Sequence, residues 1–421
     1  MLRLKSRREK MKNTNSFITH KNTIEQLSLK SNEPGWFLEY RMEALKAADE
    51  LEPSQIERLD YTSWNLWEIP NVQIEDLSKD EIQNQIQSSS TEDIMILDFK
   101  QILKEQEELF KKIYNKTTFI QFKDLFSAFT MAFLTDGLFV YIPKNLQVKE
   151  PLELSFIQNN KTENTVNRQV LIYAEPHSSV EIIEKYSSIE NDQEASANIH
   201  VEVIAEVGAK IQYSSLDQFG EKTNAFIQRI GQTGKNAEIN WALGAMNDGN
   251  VIEDVRVNLE GQGSVSDVKT VAITHDHQVQ GINVNVTNIG KNTIGNIFQH
   301  GVALDASTLT FNGIGHILKN SKNSDAQQES RVLMLSDEAR ADANPILLID
   351  EYEVQAGHAA SISRVDEEQL YYLMSRGLEG KQAEKLIIRG FLGNVLSEIS
   401  IREVRQELID TIERKLAQYD N

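Results

Sequence analysis

Hydrophobic residues change their spacing near Leu138, and the change divides the chain. Over residues 33–144 apolar positions recur at helical spacing. Phe37, Tyr40 and Leu45 share one face of a first helix, and Phe99, Ile102, Leu103, Leu109, Phe110 and Ile113 mark a stripe along a charged helix over 98–114. A third segment, 123–134, is apolar on nearly every side and is expected to be buried. Between these, DYTSWNLWEIP is expected to run extended and DEIQNQIQSSSTED to form a loop. From Leu138 to about Ala360 the period becomes two. Eleven short alternating or β-branched runs, among them FVYIP, IHVEVIAEV and INVNVTNI, are separated by Gly, Asn and Asp turns, which predicts an all-β core. Gly208, Gly234, Gly263 and Gly290 each introduce a run, at spacings of 26, 29 and 27 residues, the range of a solenoid coil. Short strands at regular spacing also suit a sandwich, so periodicity alone leaves both architectures open. The open ends of a solenoid need covers, and the flanking helical regions are expected to cap them.

The core ends in a run carrying His358, which passes directly into two helical patterns. Asp366 stands at an N-cap with Gln369 three residues on, the spacing of a capping box. Leu370, Leu373 and Met374 form one apolar face, and Gly377 supplies the positive φ at which the helix stops. The second pattern is expected to bury Ala383, Leu386, Ile387 and Phe391, leaving Lys381, Glu384, Lys385 and Arg389 on the other side. The chain thus divides into a basic leader (1–32, expected disordered), a mainly helical region (33–137), the β core (138–362) and a C-terminal helical domain (363–421).

Composition narrows the chemistry. There is no cysteine, so the chain makes no disulfide and offers no thiolate to a metal, a persulfide or a nucleophilic mechanism. The 63 Asp and Glu outnumber the 43 Lys and Arg, giving a formal charge of −20 spread along the chain, which repels phosphate backbones and anionic lipid; neither nucleic acid nor a membrane surface is an expected partner. No apolar run reaches the roughly 18 residues of a spanning helix, and the basic start lacks the apolar core of a secretory signal, so a cytoplasmic protein is expected.

Candidate catalytic motifs are few. His275, Asp276 and His277 give an H-x-H, placed by the pattern on a strand with both imidazoles on one face, but no third ligand is evident and an exposed polar face explains the pair. His300 and His316 read as turn or surface residues. GQTGKN around Lys235 lacks the spacing and the Ser or Thr of a phosphate-binding loop, and no GxSxG occurs, so no nucleotide hydrolysis or hydrolase chemistry is expected and the chain is not read as an enzyme. Tyr371, Tyr372, Arg376, Gly377 and Leu378 bring aromatic, guanidinium and apolar groups to one loop-flanked helix end, a mixture that suits a protein interface as well as a closing hairpin.

SRVDEEQLYYLMSRGL followed by AEKLIIRGFLGNVL, with the GH pair of QAGHAAS, resembles the C-terminal signature of the SufB/SufD family of iron-sulfur cluster assembly proteins. EPGWFLEYRMEALKAADEL, DYTSWNLWEIP and TDGLFVYIPKNLQVKEPLEL extend the resemblance over most of the chain from about Glu33. The resemblance implies a right-handed parallel β-helix core, a DG turn at Asp136 and Gly137, and a C-terminal helical region that docks the SufC-type ABC ATPase. SufB-type sequences carry E-H-E around the histidine and an upstream cysteine; here the positions are Gly357, His358 and Ala359, and Ala339, six residues before Pro345. Ala356 stands where many SufD-type sequences keep a second cysteine. The chain is therefore similar to the SufD side of the family. The implied role is that of a non-enzymatic subunit of a SufB, SufC and SufD complex, with His358 as metal ligand to an iron-sulfur cluster shared transiently with SufB and no cluster held by the isolated chain. Its β-helix edge would pair with SufB, or with a second copy of itself when SufB is absent. Two alternatives are weaker: an exported β-helix enzyme acting on polysaccharide, which needs Asp clustered with Arg or Lys along a groove, and a SufB-like homodimeric scaffold, which needs the missing cysteine.

Overall fold

In the computed structural model, residues 16–70, 86–87, 93–396 and 402–418 are described. Among them sixteen successive strands, from Asp136–Ile142 to Gln355–Arg364, wind as a parallel β-solenoid of about eight turns. Each coil contributes one strand to each of two sheets, so the eleven runs read from the sequence resolve into two strands per coil. Neighbouring coils stack in register. The inward column Leu152, Ile182, Tyr213, Trp241, Val268, Ile297, Gln328 and His358 runs through one sheet from the first coil to the last. Its apolar members join the main hydrophobic cluster, which fills the space between the sheets. No coil closes this core alone, because each inward row is buried only by the rows above and below it.

The two ends differ. At the N-terminal end the edge strands are paired by antiparallel partners: Met95–Asp98 on Asp136–Ile142 and Ile86–Gln87 on Leu152–Asn159. At the C-terminal end the last two strands, Arg340–Ile349 and Gln355–Arg364, are largely exposed and no described residue covers them. The helices expected as end caps lie elsewhere, on the outer faces of the sheets.

The N-terminal helices α1 (Lys21–Lys30), α2 (Gly35–Glu50), α3 (Phe99–Glu105), α4 (Glu107–Tyr114) and α5 (Leu125–Ala132) pack Ile24, Phe37, Leu45, Phe110 and Phe129 against Phe139, Leu171 and Ile204 on one sheet. The expected leader is thus folded from Phe17, where a 3-10 turn enters α1, and residues 1–15 lie outside the described residues. The single helix expected over 98–114 breaks at Gln106 into α3 and α4. Asp136 and Gly137 open the first parallel strand and do not form a turn. The DYTSWNLWEIP stretch folds into turns that bury Tyr61 and Leu66 against Phe226 and Ile252. Just before it, Arg58, in a left-handed conformation with φ 59°, pairs with Asp342 near the open end. Most of the expected loop over 80–93 lies outside the described residues.

On the other sheet lie α7 (Gly380–Leu396) and α8 (Arg402–Gln418), whose Ile388, Leu392, Leu408, Ile412 and Leu416 pack on Leu216, Ala242, Val271, Ile273 and Val302. Ala383 is buried as expected and Ile387 and Phe391 partly so, but Leu386 is 46% exposed and Ile388 takes its place.

Candidate functional site

His358 is the fourth residue of the last strand and stacks on Gln328 at the mouth of the space between the sheets. The side chains of the strand Gln355–Arg364 are exposed or half-buried throughout, because this coil has no successor. His358 therefore occupies an inward position in a coil with nothing above it, and faces out of the open end. Gly357 and Ala359 flank it with little bulk. Ile346, Leu348 and Ile349 of the preceding strand and Ile362 of the same strand are exposed on the last coils.

Two residues after that strand, α6 (Glu367–Ser375) begins. The Asp366 carboxylate accepts from the backbone N–H of Glu368 and Gln369, so the N-cap is made in one direction only, without the returning bond of a capping box. Gly377, at φ 94°, ends the helix as expected. No residue of α6 is buried: it rests on α7 and presents Tyr371 at 74% and Tyr372 at 55% exposure. The Arg376 guanidinium lies 5.1 Å from the centre of the Tyr372 ring, and Leu378 is half-buried at the corner. The residues proposed as an interface are thus brought together on a projecting arm with its aromatic face uncovered.

His275, His300 and His316 are engaged in structure. His275, Asp276 and His277 fall on the turn between two strands, not within one. His275 bridges Asp248 at 2.9 Å and Asp276 at 2.8 Å, and its hydrogen bond to Asp248 raises its pKa. Lys415 of α8 donates to the same Asp248 oxygen at 2.6 Å and to the carbonyl of Asn247. Burial alone would raise the Asp248 carboxyl, yet these partners hold it down at about 2. His300 is buried, not superficial: it stacks on Phe391 of α7 and bonds Glu329 at 2.9 Å. His316 pairs with Asp350 at 3.1 Å. Among the described residues no group of three or more His, Asp or Glu is placed to hold a metal ion.

Sequence reasoning passed over two buried polar sites. His200 lies beneath the N-terminal helices against the Phe119 ring, and burial lowers its pKa to about 3. In the space between the sheets, Arg229 approaches Asp217 at 2.8 Å, Glu253 at 3.6 Å and Glu184 at 3.7 Å, all fully buried. The signal for this cluster was present, since in AFIQRIG the residues Ala225, Ile227 and Arg229 share one phase and place the arginine inward with the two apolar residues.

Comparison with known proteins adds a consistent set of likenesses. The family described as SUF system FeS cluster assembly, SufBD core domain, matches residues 156–391, and the SufBD protein N-terminal region matches residues 70–154. The chain is 36% identical over 424 aligned positions to the iron-sulfur cluster assembly protein SufD of Bacillus subtilis (strain 168), covering 93% of this chain and 97% of that protein. It is 24% identical to iron-sulfur cluster assembly SufBD family proteins of Staphylococcus saprophyticus and Staphylococcus aureus, over 90% of this chain and 89% of each relative.

Proposed function

The chain belongs to the SufBD family and acts in iron-sulfur cluster assembly through the SUF system; from that premise we propose that it is a non-enzymatic, cytoplasmic subunit that lends one histidine to a cluster built between itself and a partner. The observation that carries this reading is the open C-terminal end of the solenoid, where an uncovered edge strand presents His358. A chain without cysteine cannot hold a cluster through thiolates of its own, so the sulfur ligands come from the facing subunit and this chain supplies nitrogen. Neutral imidazole suits that part, with one ring nitrogen on iron and the other held by a hydrogen bond.

The facing subunit is SufB-like. Unpaired strand edges are templates for another edge, and the exposed Ile346, Leu348 and Ile362 of the last two strands give such a contact an apolar component. The same edge takes a second copy of this chain when the partner is missing. The α6–α7 arm docks a SufC-type ATPase through Tyr371, Tyr372, Arg376, Gly377 and Leu378. Large aromatics beside an arginine, held off the protein body, are what a partner pocket buries to most effect.

The experiment is complementation in cells that depend on this pathway. His358→Ala should leave co-purification with the partner subunits and the melting temperature unchanged but abolish cluster assembly, while His277→Ala, on an exposed turn, should complement. Full complementation by His358→Ala would remove the residue from the chemistry and leave the chain as architecture.

A further inference from the structure

Directly beneath His358 in the inward column stands Gln328, in the strand Asp325–Met334. It is 4% exposed. Its Nε2 donates to the carbonyl of Ile346 across the core at 3.0 Å, but its Oε1 has no partner. Leaving a buried acceptor unpaired is unfavourable, and the great majority of such atoms are paired. The neighbouring amide does not share the defect: Gln299 Oε1 accepts from the Ser330 hydroxyl at 3.0 Å, and its Nε2 donates to the Ile282 carbonyl at 3.3 Å. Room for the Gln328 amide is made by two glycines on the opposite sheet. A Cβ on Gly313 would lie 3.2 Å from Gln328 Oε1, and one on Gly315 only 2.5 Å from Nε2. In the preceding coil the same column position is filled by Ile297, which packs without a polar end. An amide at the rim of the core is thus both accommodated and incompletely satisfied, one step below an exposed histidine.

Resting on the reading of His358 as a ligand, we propose that Gln328 is its positioning residue: the free Oε1 accepts the Nδ1–H of His358 and leaves Nε2 bare and directed out of the open end. Residues stacked in a parallel ladder are roughly 4.8 Å apart, close enough for a side chain to reach the one below it. Nδ1 is the ring nitrogen adjacent to the Cβ side, within reach of a ladder neighbour, whereas Nε2 is the distal one. His358 is exposed between two small residues, so its ring is free to adopt the rotamer that turns Nδ1 toward the column. The contact satisfies the orphaned oxygen and selects the tautomer that an incoming metal requires, in which the second nitrogen already holds its proton against an acceptor.

The test is direct observation of the tautomer. The full-length chain, deuterated and labelled with nitrogen-15 in histidine, is examined by long-range proton–nitrogen correlation well above the ordinary imidazole pKa, with the His358 signals assigned by their loss in His358→Ala. Wild type should show the Nδ1–H form at His358. Gln328→Met, which conserves length and volume but removes the acceptor, should return it to the Nε2–H form favoured by a free imidazole, and Gln328→Glu, which restores an oxygen, should bring Nδ1–H back. Cluster assembly should fall roughly 10–100-fold in the methionine variant, the range expected when the hydrogen-bond partner of a metal-bound histidine is lost. An Nε2–H signal in wild type, or one unchanged by Gln328→Met, overturns the proposal and leaves the ligand reading standing. A tautomer that follows Gln328 while His358→Ala complements fully supports the contact and removes the ligand reading instead.

Discussion

Replacing Glu253 by glutamine should flatten the fall in stability of this protein between mildly acid and mildly alkaline pH. Glu253 is fully buried between the sheets; burial, and after it the charge of Asp217, pushes its carboxyl from 4.5 up to about 8, with Arg229 pulling the other way. The Arg229 guanidinium stays 3.6 Å from that carboxyl, beyond hydrogen-bond distance. A group whose folded pKa is raised stabilises the fold fully below its unfolded pKa, and that contribution is lost as pH rises through the folded value. Between pH 4.5 and about 8 the native state therefore holds a proton that the unfolded chain has released. Stability declines as pH rises across that window, with a limiting slope of about 1.4 kcal/mol per pH unit. Glutamine has nearly the same shape and cannot ionise. The difference between the two proteins, followed by urea denaturation at closely spaced pH values, should grow across the window and level off above it. Parallel curves for wild type and Glu253→Gln would refute the argument, because they would mean that the carboxyl is ionised in the fold and paired by Arg229.

The arm should prove separable from the body: Tyr372→Ala combined with Arg376→Glu should reduce capture of a SufC-type ATPase at least tenfold in pull-down, with circular dichroism unchanged because neither side chain is buried. The isolated chain incubated with iron and sulfide should develop no stable visible absorbance of a cluster, and a stoichiometric cluster on the pure chain would overturn the shared-ligand reading. Lys415→Ala should lower stability by about 2–3 kcal/mol in thermal or urea unfolding, since Lys415 is 2% exposed and its loss strips Asp248 of one of two partners.

The β core was legible because the inward rows alternate with polar turns, but the strand count was low for a physical reason. Strands such as Thr165–Ala174 and Ala195–Ala205 are buried at every position, one face in the core and the other under N-terminal helices, so alternation fades where both sides are covered. The same double coverage misplaced the helices. An amphipathic pattern shows that a face is buried and not against what, so the end of the solenoid and the flat of a sheet were equally good answers until Ile388 and Leu392 were seen on Val271 and Val302. His275 was misread for want of register, since a turn and a strand can carry the same three residues. The reading of His358 as a ligand came from resemblance. Its placement could not have, because finding it in the column of Trp241 and Gln328 requires the length of every intervening coil.

The unequal ends of the solenoid give it one preferred face for joining another. Short antiparallel strands cover part of the edge at the first coil, whereas among the described residues the last coil leaves a ten-residue strand open along its length. Two rods that met there, as proposed above, would each bury that edge. The junction must then lie across a twofold or pseudo-twofold axis, with the rods pointing away from it in opposite directions. On the reading proposed above, a cluster assembled at that axis would be met from both sides by last coils, and a single histidine per rod would be half of a two-sided site.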